Sequence, residues 1–388
     1  MENIIQFNAP ATSLVGGGAI KKLALLVKEF EVNNVMIVTD TYFVKTGLIN
    51  LIVSDLQSNG INASVFSDVS PDPSLENVYH GLEDFIASKA EMIVAVGGGS
   101  PIDAAKAISV LVHNPPPLNQ YMGYHKIKNP GVPVIAVPTT SGTGSEATKV
   151  AVISDNQLGV KMMIFDKHLM PAAAVVDFNL AKSMPQDLTA FVGVDTLTHG
   201  IEAFVSKKSN ALSDPLAMSC INLVGKHLAT AWEIPEDNTA REGMSIAAYQ
   251  GGLAFTNSSV CLVHGMSRPL GAIFHLAHGF SNAMLLPAVV SFSLVGALEK
   301  YAIVSRILGF SQNSDSDEAA GVKLVDGLEK LNKKLRIPTL GTSGKIEKVK
   351  FEKNLEKMAS DALASGSPQN NPIIPTMDEI ISLYQKAW

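Results

Sequence analysis

The sequence predicts an α/β half followed by an all-helical half, and three observations carry that prediction. Four short apolar runs without polar alternation punctuate residues 1–182. The strand signal stops after about Leu180, and successive helical patterns take over. Only 17% of the 388 residues are charged against 46% hydrophobic, so much of the chain must be interior or interface. Strands buried on both faces lose the alternation of half-exposed ones, which argues for a parallel, Rossmann-like sheet covered on both sides. The expected division is an α/β domain over 1–182 and an all-α domain over 183–388.

Taken in order, Val35–Thr39 is the first run and ends at Asp40. Met92–Val96 ends at three glycines, Val134–Val137 at Pro138, and Ala173–Val176 at Asp177. Between the second and third runs, Ile102, Ala105, Ile108 and Val112 recur at helical spacing. Pro185-Gln186-Asp187-Leu188 reads as the entry to the helical region. The longest apolar stretch, Ala283–Leu298, is broken by Pro287, Ser291 and Ser293 and reads as a buried helix rather than a membrane span. Asn114–Pro117 and Gly366–Pro372 read as loops.

Charge and cysteine usage exclude several classes. Thirty Lys+Arg against 36 Asp+Glu give a formal net charge of −6, against a nucleic-acid partner. Cys220 and Cys261 offer no disulfide framework, which fits a cytoplasmic protein. The N-terminus, Met1–Ile5, shows no basic, apolar signal pattern.

Two loops in the first half carry binding chemistry. Gly97-Gly98-Gly99-Ser100 joins an apolar strand to a helix beginning near Pro101-Ile102-Asp103, so backbone N–H groups and a helix dipole can meet a phosphate. Thr139-Thr140-Ser141-Gly142-Thr143-Gly144-Ser145-Glu146 follows the next strand with a second set of small and hydroxyl residues. Ligands of open α/β sheets bind at such strand ends. Asp40 can bond a ribose diol, favouring NAD over its 2′-phosphorylated form, or can cap a helix.

The second half carries a metal-ligand set. Asp195 and His199, at i and i+4, share one helix face, and His264 and His278 each precede a glycine. One carboxylate and three imidazoles suit iron(II) or zinc(II), although the spacing is no standard zinc motif.

These motifs, in this order, resemble those of the iron-containing (group III) alcohol dehydrogenases over nearly the whole chain. Pro71-Asp72-Pro73-Ser74 is similar to that family's turn, and the style is that of its short-chain alcohol, lactaldehyde and 1,3-propanediol reductases. The resemblance implies a dehydroquinate synthase-like fold: a nucleotide-binding α/β domain, a helical metal-binding domain, and an active site between them. It implies Asp195, His199, His264 and His278 as metal ligands. It implies Gly97, Gly98, Gly99, Ser100 and the adjacent Asp103 at the NAD pyrophosphate. Thr139, Thr140, Thr143 and Ser145 would line the cofactor's path, with Lys161 near the nicotinamide and Leu180 under the adenine. Phe255 would face the substrate, a small alcohol or aldehyde. Dimers or assemblies of dimers are implied, through a strand around Gln6-Phe7.

The chain departs from the family at three places. Arg268 stands where relatives often carry histidine, and an always-charged guanidinium cannot relay a proton as a base. His275 is the remaining candidate relay. Val150 replaces an asparagine associated with hydroxylated aldehydes, and Ile373 replaces a C-terminal arginine. Two alternatives share the ligand set: a lyase of the same fold and a non-catalytic metal- and NAD-binding protein.

Overall fold

The computed structural model describes residues 4–156 and 159–388, so Met1–Asn3 of the N-terminal reading lie outside the described residues. The chain divides into two compact units. One comprises Asn8–Thr140 and Gly144–Ser183; the other takes in residues up to Phe7, Ser141–Thr143 and Met184–Trp388.

In the first unit the strands are β1 (Thr12–Val15), β2 (Asn34–Val38), β3 (Asn62–Phe66), β4 (Met92–Gly97), β5 (Gly123–Tyr124), β6 (Val134–Pro138), β7 (Val150–Asp155), β8 (Val160–Phe165) and β9 (Ala173–Val176). Its helices are α1 (Leu23–Lys28), α2 (Thr41–Lys45), α3 (Leu48–Ser58), α4 (Leu75–Ala87) and α5 (Gly99–His113). Six strands form one wholly parallel sheet in the order β1-β9-β6-β4-β2-β3. The four apolar runs are its four interior strands, sandwiched between two buried apolar clusters. The smaller sheet, β5-β8-β7, contains an antiparallel β7/β8 pair that the sequence reading did not identify.

The second unit is helical: α6 (Gln186–Val205), α7 (Asp214–Glu233), α8 (Asn238–Asn257), α9 (Leu262–Phe274), α10 (His278–Ser293), α11 (Leu298–Ile307), α12 (Asp317–Lys334), α13 (Lys348–Ala364) and α14 (Met377–Lys386). Helix α6 begins one residue after Pro185, whose lack of an N–H costs nothing there. Helix α10 is apolar on all sides, and its burial in the helical core accounts for its membrane-like composition. Gln6 and Phe7, around which a strand is expected, are not in a strand; the first strand among the described residues is Thr12–Val15. The loop expected at 366–372 contains a short 3-10 turn, with Ser367, Asn370 and Asn371 buried.

Candidate active site

The four expected metal donors converge within the helical unit. Asp195 and His199 lie one turn apart on α6, His264 is in the first turn of α9, and His278 opens α10. One donor atom from each lies within 4.8 Å of the others. His199 Nε2 and His264 Nε2 stand 3.8 and 3.7 Å from Asp195 Oδ1. Donor atoms around a tetrahedral ion with bonds of about 2.1 Å lie about 3.4 Å apart, so the cluster has single-ion dimensions. Asp195, His199 and His264 are buried, whereas His278 is exposed.

Glycines allow this convergence. A Cβ on Gly279 would stand 3.0 Å from the Phe191 carbonyl oxygen and 3.3 Å from Asp195 Cβ, so the residue after His278 must be small. A Cβ on Gly265 would lie 2.9 Å from Pro368, which explains the glycine after His264.

The electrostatics favour a cation. Burial acts to raise the Asp195 carboxyl, but the three imidazoles and the Asn282 amide outweigh it and hold the group below the usual carboxylate range. Burial, with the neighbouring His199 and His278, pushes His264 well down, so its ring is neutral and offers a lone pair.

Three neighbours of the cluster were missed from sequence. Glu202 Oε2 lies 2.6 Å from His264 Nδ1, and burial pushes this carboxyl up to about 7. Asn282 Nδ2 donates to Asp195 Oδ1 at 2.6 Å and lies 3.1 and 3.2 Å from the Nε2 atoms of His278 and His264. Ser267 Oγ is 3.3 Å from His278 Nδ1. Helical spacing offers a partial signal, since it puts each on the face of a ligand: Glu202 is i+7 from Asp195, Ser267 i+3 from His264, and Asn282 i+4 from His278.

Phe255 packs its ring on His199, with centroids 4.5 Å apart. His275 is exposed and ends α9 in the left-handed region, at φ 54. Thr143 falls in the helical unit together with Ser141 and Gly142. This backbone lies against α6: a Cβ on Gly142 would meet Val192 at 2.4 Å, and Thr196 Oγ1 donates to the Gly142 carbonyl at 3.2 Å.

The α/β unit places the glycine turn between β4 and α5. A Cβ on Gly97 would strike Pro101 at 2.5 Å, while Gly98 lies against Thr140. At the carboxyl ends of β2 and β6, the hydroxyls of Thr39, Thr139 and Thr140 are buried without partners. Orphaned hydroxyls beside a glycine turn and a helix N-terminus fit a polar, phosphorylated ligand.

The remaining candidates have defined partners. Asp40 caps α2, accepting from the N–H groups of Tyr42 and Phe43 through Oδ1 alone. Ser100 Oγ donates to the Pro71 carbonyl at 2.6 Å, and Lys161 pairs with Asp72 at 3.0 Å. The 71–74 turn therefore ties the glycine loop to β8. Asp103 and Ser145 bond one another at 2.6 Å, over the buried Lys106, whose Nζ donates to Ser145 Oγ and the Ser145 carbonyl. Burial lowers this ammonium to about 8. Leu180 packs at the margin of the β-sheet core.

A largely buried carboxylate–imidazole cluster, in a chain with a glycine turn at a helix N-terminus, fits a protein that uses a metal ion and a phosphorylated ligand. The chain belongs to the iron-containing alcohol dehydrogenase family. The model of the iron-containing alcohol dehydrogenases matches residues 10–178, and that of the Fe-containing alcohol dehydrogenase C-terminal region matches 189–388. The NAD-dependent methanol dehydrogenase of Bacillus methanolicus is 34% identical over 98% of this chain and 99% of its own. The lactaldehyde reductase of Escherichia coli K12 is 33% identical, over 97% of this chain and 98% of its own. The crystal structure of a 1,3-propanediol oxidoreductase superposes with a TM-score of 0.96 at 31% identity, covering all of both chains.

Proposed function

We propose that this chain interconverts small primary alcohols and aldehydes using NAD(H) and a divalent ion, iron(II) or zinc(II), held by Asp195, His199, His264 and His278. The observation that carries the reading is the convergence of these four donors. When bound, the ion supplies Lewis acidity toward the alcohol oxygen and the nicotinamide supplies the hydride acceptor or donor.

The chain's residues supply the rest. Gly97, Gly98, Gly99 and the start of α5 take the pyrophosphate through backbone N–H groups. Thr139, Thr140 and Thr143 line the cofactor's path, and Thr39 joins them because its hydroxyl, like those of Thr139 and Thr140, is buried without a partner. Asp40, with Oδ1 occupied by the helix cap, uses Oδ2 toward the ribose. Ser100 and Asp103 stand at the pyrophosphate, Ser145 along the cofactor's path and Lys161 near the nicotinamide, each also bonded to a neighbouring loop or strand that supports it. Leu180 supplies an apolar contact under the adenine.

Phe255 gives the reacting carbon an apolar wall while fixing the His199 ring. His275, exposed beside the His278 helix, moves the alcohol proton to solvent. The α/β part is the dinucleotide-binding domain and the helical part the metal-binding domain. Buried, unpaired Cys220 and Cys261 support a cytoplasmic setting, and exposed Ile4, Ile5 and Phe7 support assembly as a homo-oligomer.

A panel of short alcohols and aldehydes, assayed by NADH absorbance with Fe(II)- and Zn(II)-reconstituted enzyme, tests the reading. Turnover of C2–C4 substrates is expected; binding of NADH without turnover of any substrate would refute it.

A further inference from the structure

We propose that Glu202 is the positioning residue for His264: its carboxylate fixes the tautomer and orientation of that imidazole and anchors the start of the helix carrying it. The inference rests on the ligand role proposed above for His264.

Glu202 is buried on α6, at 2% exposure, on the same face as Asp195 and His199. Three nitrogen atoms converge on its two oxygens. Oε1 accepts from the Val263 N–H at 2.6 Å, Oε2 accepts from the Cys261 N–H at 2.7 Å, and Oε2 lies 2.6 Å from His264 Nδ1. Backbone amides can only donate, so the carboxylate must accept from both.

Ionised, it also takes the imidazole's proton bond, which assigns that proton to Nδ1 and leaves the lone pair on Nε2. Nε2 is the atom that faces Asp195 Oδ1, at 3.7 Å. The tautomer that satisfies Glu202 is therefore the one able to bind a metal ion.

The same carboxylate serves the helix. The first N–H groups of any helix lack partners within it, and a negative charge there is favourable. Cys261, at the N-cap of α9, makes no side-chain cap bond. Glu202 supplies the missing acceptors from a neighbouring helix, so the backbone turn and the imidazole it carries are set by one group.

Glutamine cannot reproduce this arrangement. Its amide has a single oxygen, so its NH2 must face either the Val263 N–H or the Cys261 N–H and the imidazole. Facing Nδ1, it would move the imidazole proton to Nε2 and close the ligand lone pair. Aspartate keeps both acceptors and the charge but withdraws them by one methylene.

The test uses Co(II) as probe, titrated into metal-stripped full-length enzyme, with the dissociation constant from chelator competition and the visible ligand-field spectrum as readouts. Far-UV circular dichroism and NADH binding confirm folding. Glu202→Gln is expected to weaken Co(II) binding about 10- to 100-fold and to change the spectrum, with Glu202→Asp falling between it and wild type. A folded Glu202→Gln protein with wild-type affinity and spectrum overturns the proposal. Should the glutamine variant not fold, a folded Glu202→Asp protein with wild-type affinity and spectrum overturns it equally. His264→Ala separates the two readings: if this variant binds Co(II) as wild type does, the ligand assignment itself fails. Binding lost in His264→Ala but untouched by Glu202→Gln refutes only the role of Glu202.

Discussion

Asn282 Nδ2 lies 2.6 Å from Asp195 Oδ1, donating one buried hydrogen bond into the centre of the metal-ligand cluster. The amide also stands near two of the three imidazoles, so an uncharged donor braces an acceptor-rich site. Replacing it by alanine strands a buried carboxylate oxygen, at a cost of about 1–3 kcal/mol. Asn282→Ala is expected to lower the melting temperature of the metal-free protein. Thermal melts check this; an unchanged melting temperature would contradict the bracing role.

Glu146 ties stability to pH. It is buried with one oxygen unpartnered, and burial raises its carboxyl from 4.5 to about 7. The folded state thus holds this proton over a window in which the unfolded chain has released it. The neutral group's contribution is fully present below about pH 4.5 and is lost as pH rises through about 7. Glu146→Gln keeps the neutral form. It is expected to match wild type near pH 4.5 and to exceed it at pH 8 by up to about 3 kcal/mol. Denaturant titrations at both pH values measure the difference; equal stabilities at pH 8 would contradict it.

Asp40 combines a helix cap with the proposed ribose contact, and Asp40→Ser separates them. Serine caps a helix about as well as aspartate but carries no charge. The variant is expected to keep its melting temperature while the ratio of kcat/KM for NAD over NADP falls at least tenfold. A retained ratio would assign Asp40 to the cap alone.

His275 closes α9 in a left-handed conformation that asparagine also tolerates, so His275→Asn preserves the turn and removes the imidazole. The expected result is an unchanged fold, a lower kcat and an altered pH–rate profile. A superimposable pH–rate profile would exclude this relay.

The sheet interior was legible in the sequence and its margins were not. Continuous apolar runs marked β2, β4, β6 and β9 because both faces of these strands are covered. Edge strand β3, Asn62-Ala63-Ser64-Val65-Phe66, has only Phe66 fully buried and so carries no such run. The β7/β8 pair alternates buried and partly exposed residues over short spans, a weak signal around Lys161. At the site, ionisable residues set among apolar neighbours stood out, which made the four donors readable. Glu202 and Asn282 are polar residues on apolar helices too, but the partners they would find depend on how α6, α9 and α10 pack. The bond between Asp103 and Ser145 over a buried Lys106 was not legible, because a buried lysine is rare for its residue type.

The most direct measurement is Zn(II) stoichiometry by equilibrium dialysis, with NADH binding followed in the same samples. Wild type is expected to bind one ion per chain, and Asp195→Ala and His264→Ala to bind none while both keep wild-type NADH affinity. One ion per chain in either variant, at wild-type affinity, would contradict the assignment of the metal centre.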